Sequence, residues 1–283
     1  MNNLLPPDYH LHTCFSDDCK TPLEDLVQSA IDNGLKSICI TDHLDPDFPA
    51  EKYGIEFSLD LDEYSAALLK LQEAYKDKID IRRGVELGLM PSTCEKLSSF
   101  SSENPWLDFI ICSTHVVDNI DPYYPEYFHN EDGSEKDLLV QYRRYLEEIL
   151  YTVQNFNDYN VYGHLDYIFR YGPDKVTEES FRDTYFSPLK DIITEILKTI
   201  IDNGKGIEIN TGSLYRGMDY AHPHPEILKL YKELGGEILT FGSDTHDNIH
   251  AGYEFKKARD LALALGFKYR TEFSKLQPEF IAL

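Results

Sequence analysis

The stretch "SICITDH", residues 37–43, is a short apolar run that stops at a polar pair, Asp42 and His43. An apolar run of this length, bounded by polar residues, reads as a buried strand. A histidine at the end of such a run recurs along the chain. "FIICSTH" (109–115) ends at His115, "VYGHLDY" (161–167) carries His164, and "EILTFGSDTH" (237–246) closes on Asp244 and His246. "IDIRRGVEL" (79–87) places Glu86 near its end. Near the start of the chain, "DYHLHTCFSDD" (8–18) sets His10 and His12 one residue apart. In a strand over 8–12 both side chains would face the same way. With "GIEINTG" (206–212) the candidate strands number seven.

Segments with apolar residues at helical spacing separate these runs. "TPLEDLVQSAIDNG" (21–34) offers Thr21 as an N-cap, Pro22 at the first helical position and Gly34 as a stop. Residues 61–77, 136–156, 187–204, 224–236 and 251–266 read as further helices, and the Ser-rich 93–105 as a short one. Strands alternating with helices across short loops are the pattern of parallel βαβ units. Seven such units suffice to close a barrel, with an open doubly wound sheet as the alternative. No repeat and no low-complexity linker interrupts the pattern, so one domain over 1–283 is expected.

Composition narrows the function. The 283 residues are 42% hydrophobic and 27% charged, with a formal net charge of -23. Such an acidic chain is poorly suited to long nucleic acid or an anionic membrane surface. Small phosphorylated substrates stay open, because bound divalent metals reverse the local field. No apolar run is long enough to span a bilayer, and "MNNLLPPDYH" lacks the basic start and apolar core of a leader. Cys14, Cys19, Cys39, Cys94 and Cys112 are odd in number and scattered, and two of them fall inside apolar runs. A reducing cytoplasm fits this better than a disulfide framework. The sequence does not reveal the oligomeric state.

The C-terminal ends of all strands in a parallel barrel open at one mouth. His10, His12, Asp17, His43, Glu86, His115, His164, Asp244 and His246 would therefore converge there, although they span more than two hundred positions. Imidazoles and carboxylates without clustered thiols suit zinc, manganese or iron. Nine donors exceed the needs of one ion, so two or three divalent ions are expected, with Glu86 or Asp244 bridging. Multi-metal sites of this kind suit hydrolysis at phosphorus, where they generate hydroxide and clamp the attacking and leaving oxygens. A single strand-end histidine is more often structural than a ligand; the joint placement carries the expectation. His129, His222, His224 and His250 lack it and are expected on the surface or in loops, with "HPHPE" (222–226) read as a helix start.

In order along the chain, "DYHLHTCFSDD", "ITDH", "GVELG", "CSTHVV" and "FGSDTH" resemble the motifs of the polymerase-and-histidinol-phosphatase (PHP) family of metal-dependent phosphoesterases. The resemblance implies a distorted (β/α)7 barrel with its metal site at the C-terminal strand ends. It implies a first ion on His10, His12, Glu86 and Asp244, and a second on Glu86, His115 and His164. A third would sit on Asp17, His43 and His246, with Asp18 as the neighbouring choice to Asp17. Within the family, the length, "GHLDYIFRYG" and "EINTGSLYRG" resemble the stand-alone histidinol-phosphate phosphatases of histidine biosynthesis.

The implied reaction is hydrolysis of L-histidinol phosphate to L-histidinol and phosphate, with a metal-bridging hydroxide as nucleophile. Asp244 and Glu86 would hold the catalytic metals, with Asp244 also orienting the nucleophile. Arg170 and Arg216 follow strands five and six and would clamp the phosphoryl group, or else form rim ion pairs. Residues 116–135, which include Tyr123 and Tyr124, would form a lid recognising the imidazole and amine. A phosphoesterase acting on nucleotides or other small esters is the alternative, and a non-catalytic PHP module a more distant one.

Overall fold

Each strand-like run pairs with the next in a computed structural model that describes residues 5–283. Met1–Leu4, the start of the stretch read for a leader, lie outside the described residues. The run at 37–44 forms two short strands, β1 (Ser37–Ile40) and β2 (His43–Leu44), both parallel to β3 (Asp80–Gly88). β4 (Phe109–Ser113), β5 (Val161–Tyr162), β6 (Gly206–Asn210) and β7 (Leu239–Gly242) follow in order, each parallel to the last. Every residue of β4, β5, β6 and β7 is buried. Parallel strands covered on both faces read in this way as continuous apolar runs rather than alternating ones.

Residues 8–12 close the sheet. They are not assigned a regular strand, yet they bond on both sides. Tyr9 N and His12 N donate to Phe241 O and Thr245 O, and Asp244 N donates to His10 O. On the other side, Cys39 N and Thr41 N donate to Asp8 O and Leu11 O. The opening segment thus lies between β7 and β1, in parallel register with each. The result is the distorted seven-stranded barrel expected, with one weak stave.

Helices form the outer layer. Those at Leu61–Tyr75 and Leu138–Asn155 begin where Asp60 and Asp137 accept hydrogen bonds from two backbone N–H groups each, which satisfies donors otherwise orphaned at a helix start. The first helix runs Leu23–Asp32 and departs from expectation. It starts after Pro22, and Thr21 does not cap it; the Thr21 hydroxyl donates instead to His246 O. All five cysteines are free thiols. No helix among the described residues is long and apolar enough to cross a membrane.

Tyr9, Cys39, Phe109, Ile111, Val161 and Phe273 pack together as a second core cluster, separate from the layer beneath the helices. Phe273 comes from an antiparallel hairpin that sequence patterning missed, β8 (Tyr269–Ser274) and β9 (Gln277–Ala282). Its turn residues, Lys275 and Leu276, both have positive φ, at 48° and 64°. Turns of that kind normally call for Asn or Gly. Here the left-handed cost is offset by anchoring to the barrel. Lys275 N donates to the Asp108 carboxylate, Leu276 N to Asp108 O, and Asn160 Nδ2 to Leu276 O.

Candidate metal centre

The register between β2 and β3 sets His43 opposite Glu86. His115, His164 and Asp244 each follow the last residue of their strand by two positions. At these positions the chain is leaving the strand, and the side chains gather around Glu86 and His12 at the mouth. Glu86 is fully buried at the centre. Its Oε2 lies 3.1 Å from His10 Nε2, 3.4 Å from His12 Nε2 and 3.0 Å from His43 Nδ1. Its Oε1 lies 3.2 Å from His115 Nε2 and 3.0 Å from His164 Nε2, and accepts from the Ser113 hydroxyl at 2.7 Å.

Among the described residues ligand-type atoms gather in five overlapping groups. Three bear on the expected ions: His10, His12 and Glu86; Glu86, His115 and His164; and His12, His43 and His246; the other two set Glu208 with His10 and His164, and Asp45 with His43 and His115. Asp244 Oδ1 adds to the first, 3.6 Å from His12 Nε2 and 3.9 Å from His10 Nε2. A metal fits these donors. His10 Nε2, His12 Nε2 and Glu86 Oε2 are buried, face one another and have no hydrogen-bond partner. Buried polar atoms left so are costly, and a cation among them would satisfy all three.

The opposite ring nitrogens are held from behind. His10 Nδ1 donates to Glu208 at 3.0 Å, and His115 Nδ1 to Asp45 at 2.6 Å. His12 Nδ1 donates to the Ser16 hydroxyl, which donates in turn to Asp42. Each partner fixes the tautomer that leaves an Nε2 lone pair for a metal. Glu208 also accepts from His164 N and Asn210 Nδ2. Sequence reading missed Glu208 and Asp45. The Glu of "GIEIN" looks like an ordinary polar strand residue, and only the barrel interior reveals its partner.

The electrostatics follow from burial among like groups. Burial alone would raise the Glu86 carboxyl, but the charges of His10, His43 and His115 hold it well below the usual carboxylate range. Burial, reinforced by His246 and His43, pushes His12 well below the ordinary imidazole value. Burial would lower His10 as well, yet Glu208 and Glu86 hold it well above. Asp244 is held low despite burial by Arg216 and His10. Its backbone is left-handed, with φ at 53°, a conformation costing roughly 1–3 kcal/mol for a non-glycine residue. Tyr215 OH and Arg216 Nη2 both donate to Asp244 O and hold it there.

Two expectations are corrected. Asp17 turns outward and accepts from Glu56 N. Its neighbour Asp18 sets a carboxylate oxygen 3.1 Å from His246 Nε2 and 3.9 Å from His43 Nε2. Burial would raise the Asp18 carboxyl, but the hydrogen bond to His246 and the charge of His43 bring it down to about 2. The segment is a turn, where side-chain alternation cannot choose between adjacent aspartates. His222 and His224, expected at the surface, are buried. One ring nitrogen of each finds a polar partner, His222 Nδ1 in Asp166 and His224 Nε2 in Glu178 O, while His222 Nε2 is buried without one. His224 does cap the helix Pro225–Glu233, as "HPHPE" suggested.

The mouth opens into a cavity of about 480 Å³ that Arg170, Arg216, Tyr123, Tyr124 and Asp121 help to line. Arg216 is committed to Asp244, with Nη1 3.3 Å from its carboxylate. Arg170 has no carboxylate partner among the described residues. It lies over the rings of Tyr167 and Tyr171 and donates to the Tyr171 hydroxyl, while its Nε and Nη1 are buried without partners. Tyr124 stacks on Tyr53 with ring centroids 4.0 Å apart, and Tyr123 is 63% exposed. Burial pushes the Asp121 carboxyl up to about 6.

Residues 8–212 match the family model described as the PHP domain. The chain belongs to the PHP domain family. The PHP match ends before Asp244 and His246, which the barrel nonetheless brings to the same mouth. The chain is 36% identical over 270 residues to the histidinol-phosphatase of Lactococcus lactis subsp. lactis, covering 95% of each chain. It is 31% identical over 258 residues to a probable histidinol-phosphatase of Clostridium acetobutylicum, covering 90% of this chain and 92% of the relative. The crystal structure of histidinol phosphate phosphatase from Lactococcus lactis, complexed with zinc, L-histidinol and phosphate, superimposes with a TM-score of 0.84 at 34% identity. It covers 98% of this PHP chain and 100% of that one. A putative histidinol phosphatase from Listeria monocytogenes shares the fold, with a TM-score of 0.68 at 19% identity.

Proposed function

We propose that this chain is a metal-dependent histidinol-phosphatase, hydrolysing L-histidinol phosphate to L-histidinol and inorganic phosphate. One observation carries the reading: a single cavity joins a carboxylate ringed by imidazoles, an arginine with unpaired donors, and the Asp121 carboxyl, which accepts from Tyr123 N but has no ion-pair partner among the described residues. A phosphate ester that also bears an ammonium group matches those ends. The relative from Lactococcus lactis, whose structure holds zinc, L-histidinol and phosphate, supports the same substrate.

His10, His12, Glu86 and Asp244 would hold one ion, and Glu86, His115 and His164 a second. Asp18, His43 and His246 would hold a third. Bound divalent ions supply Lewis acidity and a water of lowered pKa to such a site. Arg170 meets the phosphoryl oxygens with its free N–H groups, a geometry guanidinium suits better than ammonium. Arg216 keeps Asp244 ionised and aimed inward. Asp121 takes the substrate ammonium, while Tyr123 and Tyr124 border the imidazole. A single domain houses all of these groups.

The test is phosphate release from L-histidinol phosphate against a panel of nucleotides, sugar phosphates and aryl phosphates. Zinc, manganese and iron are each added back to metal-stripped protein. A kcat/KM for L-histidinol phosphate far above the rest of the panel, dependent on added metal, is expected. A nucleotide or sugar phosphate that matches it would overturn the assignment.

A further inference from the structure

Outside the metal centre, Asp166 and His222 form a second buried pair, both fully shielded from solvent. His222 Nδ1 donates to Asp166 Oδ1 at 2.5 Å, and Asp166 Oδ2 accepts from His224 N at 2.8 Å. Neither residue lines the cavity. Asp166 immediately precedes the 3₁₀ turn Tyr167–Arg170, whose ends present Tyr167 and Arg170 to the cavity. His222 is tied to β6 by a reciprocal backbone pair, with Asn210 N donating to His222 O and His222 N to Asn210 O. The Asn210 side chain bonds Glu208, which in turn holds His10 and His164 N.

Arg170 has no ion pair to aim it; its guanidinium lies over Tyr167 and Tyr171 and donates to the Tyr171 hydroxyl, so its direction follows the turn that carries those two residues. Ile168 and Phe169 anchor that turn through apolar packing, and Phe169 sits 4.2 Å from Tyr142 between ring centroids. Apolar contacts tolerate sliding. A short charge-assisted hydrogen bond is directional and does not.

We infer that Asp166 and His222 are positioning residues, which hold the Tyr167–Arg170 turn to β6 so that Arg170 meets a bound phosphoryl group. The inference rests on the reading of Arg170 given above. It predicts that the pair contributes to phosphate affinity only through Arg170.

The experiment is calorimetric titration of the zinc-loaded, full-length chain with inorganic phosphate, alongside zinc content and Tm. The variants are His222→Ala, Asp166→Asn, Arg170→Ala and the double variant His222→Ala with Arg170→Ala. His222→Ala and Asp166→Asn should each weaken phosphate binding about tenfold with zinc content unchanged, about what one hydrogen bond contributes. His222→Asn, which keeps an amide donor near the Nδ1 position, should recover most of that loss. Added to Arg170→Ala, the His222 change should weaken binding no further. Additive losses in the double variant would overturn the inference, as would unchanged affinity in a folded, zinc-replete Asp166→Asn protein. Should His222→Ala fail to fold, Asp166→Asn replaces it in the cycle, being nearly isosteric. Arg170→Ala with undiminished phosphate affinity would instead overturn the role given to Arg170 itself.

Discussion

Replacing Glu208 by Gln changes one atom at the back of the metal centre and should weaken metal binding without touching a proposed ligand. The Glu208 carboxylate accepts from His10 Nδ1 at 3.0 Å, His164 N at 2.8 Å and Asn210 Nδ2 at 2.9 Å. Gln retains one acceptor oxygen, enough for the last two donors. Its amide nitrogen then stands in place of Oε2 beside His10 Nδ1, donor against donor, and leaves that N–H only the 3.1 Å contact to an oxygen already shared by two others. His10 can relieve the clash by moving its proton to Nε2, but that occupies the lone pair aimed toward Glu86. Either way, zinc binding loses one charge-assisted hydrogen bond, worth about 1.5–3 kcal/mol. The corresponding loss of affinity is roughly ten- to a hundredfold. Competition for zinc against a calibrated chelator measures it, and circular dichroism confirms that the variant is folded. A folded Glu208→Gln protein with zinc affinity within about twofold of the parent would refute the orienting role.

Three other outcomes follow from the same geometry. Asp18→Asn should lower zinc stoichiometry or third-site affinity while Asp17→Asn leaves both unchanged, as read by elemental analysis after dialysis; the reverse order would restore Asp17 as the ligand. Asp121 must be ionised to pair with an ammonium group, and burial places its titration near pH 6. The ratio of KM for L-histidinol phosphate between Asp121→Asn and the parent should therefore be large above pH 6 and shrink toward one below it. A ratio flat from pH 5 to 8 would exclude that pairing. Phe273→Ala, which empties the core of the barrel beside Tyr9 and Phe109, should lower stability to urea by about 3–5 kcal/mol with zinc content retained; a loss under 1 kcal/mol would mean the hairpin does not seal the barrel.

Much of the centre was legible because barrel topology turns strand ends into neighbours. His43 and Asp244 lie where an apolar run gives way to polar residues, and Glu86, His115 and His164 are polar residues set late in apolar runs; neither pattern needs tertiary knowledge. What lay hidden depended on partners distant in sequence. Glu208 and Asp45 are recognisable only once His10 and His115 are seen behind them. His222 and His224 read as loop residues until Asp166 and Glu178 O supply the bonds that permit burial. The β8–β9 hairpin escaped because Lys275 and Leu276 give no turn signal, their left-handed backbone being held by Asp108 and Asn160. The strand expected at 8–12 is real in its bonding but broken in its regularity. Each of its sides serves a different neighbour.

That stave also dictates when the centre can come into being. His10 and His12 are synthesised well before Thr245, which Leu11 must meet. During synthesis the early imidazoles wait with β1 on one side and nothing on the other. Sheet closure joins positions more than two hundred residues apart, a contact whose loop entropy makes it a late event in folding. A nascent chain halted before β7 would carry a partial ligand set, open to whichever metal is abundant, and only the finished barrel would impose the full coordination. The full ligand set thus forms only after β7 and the residues just beyond it have been made.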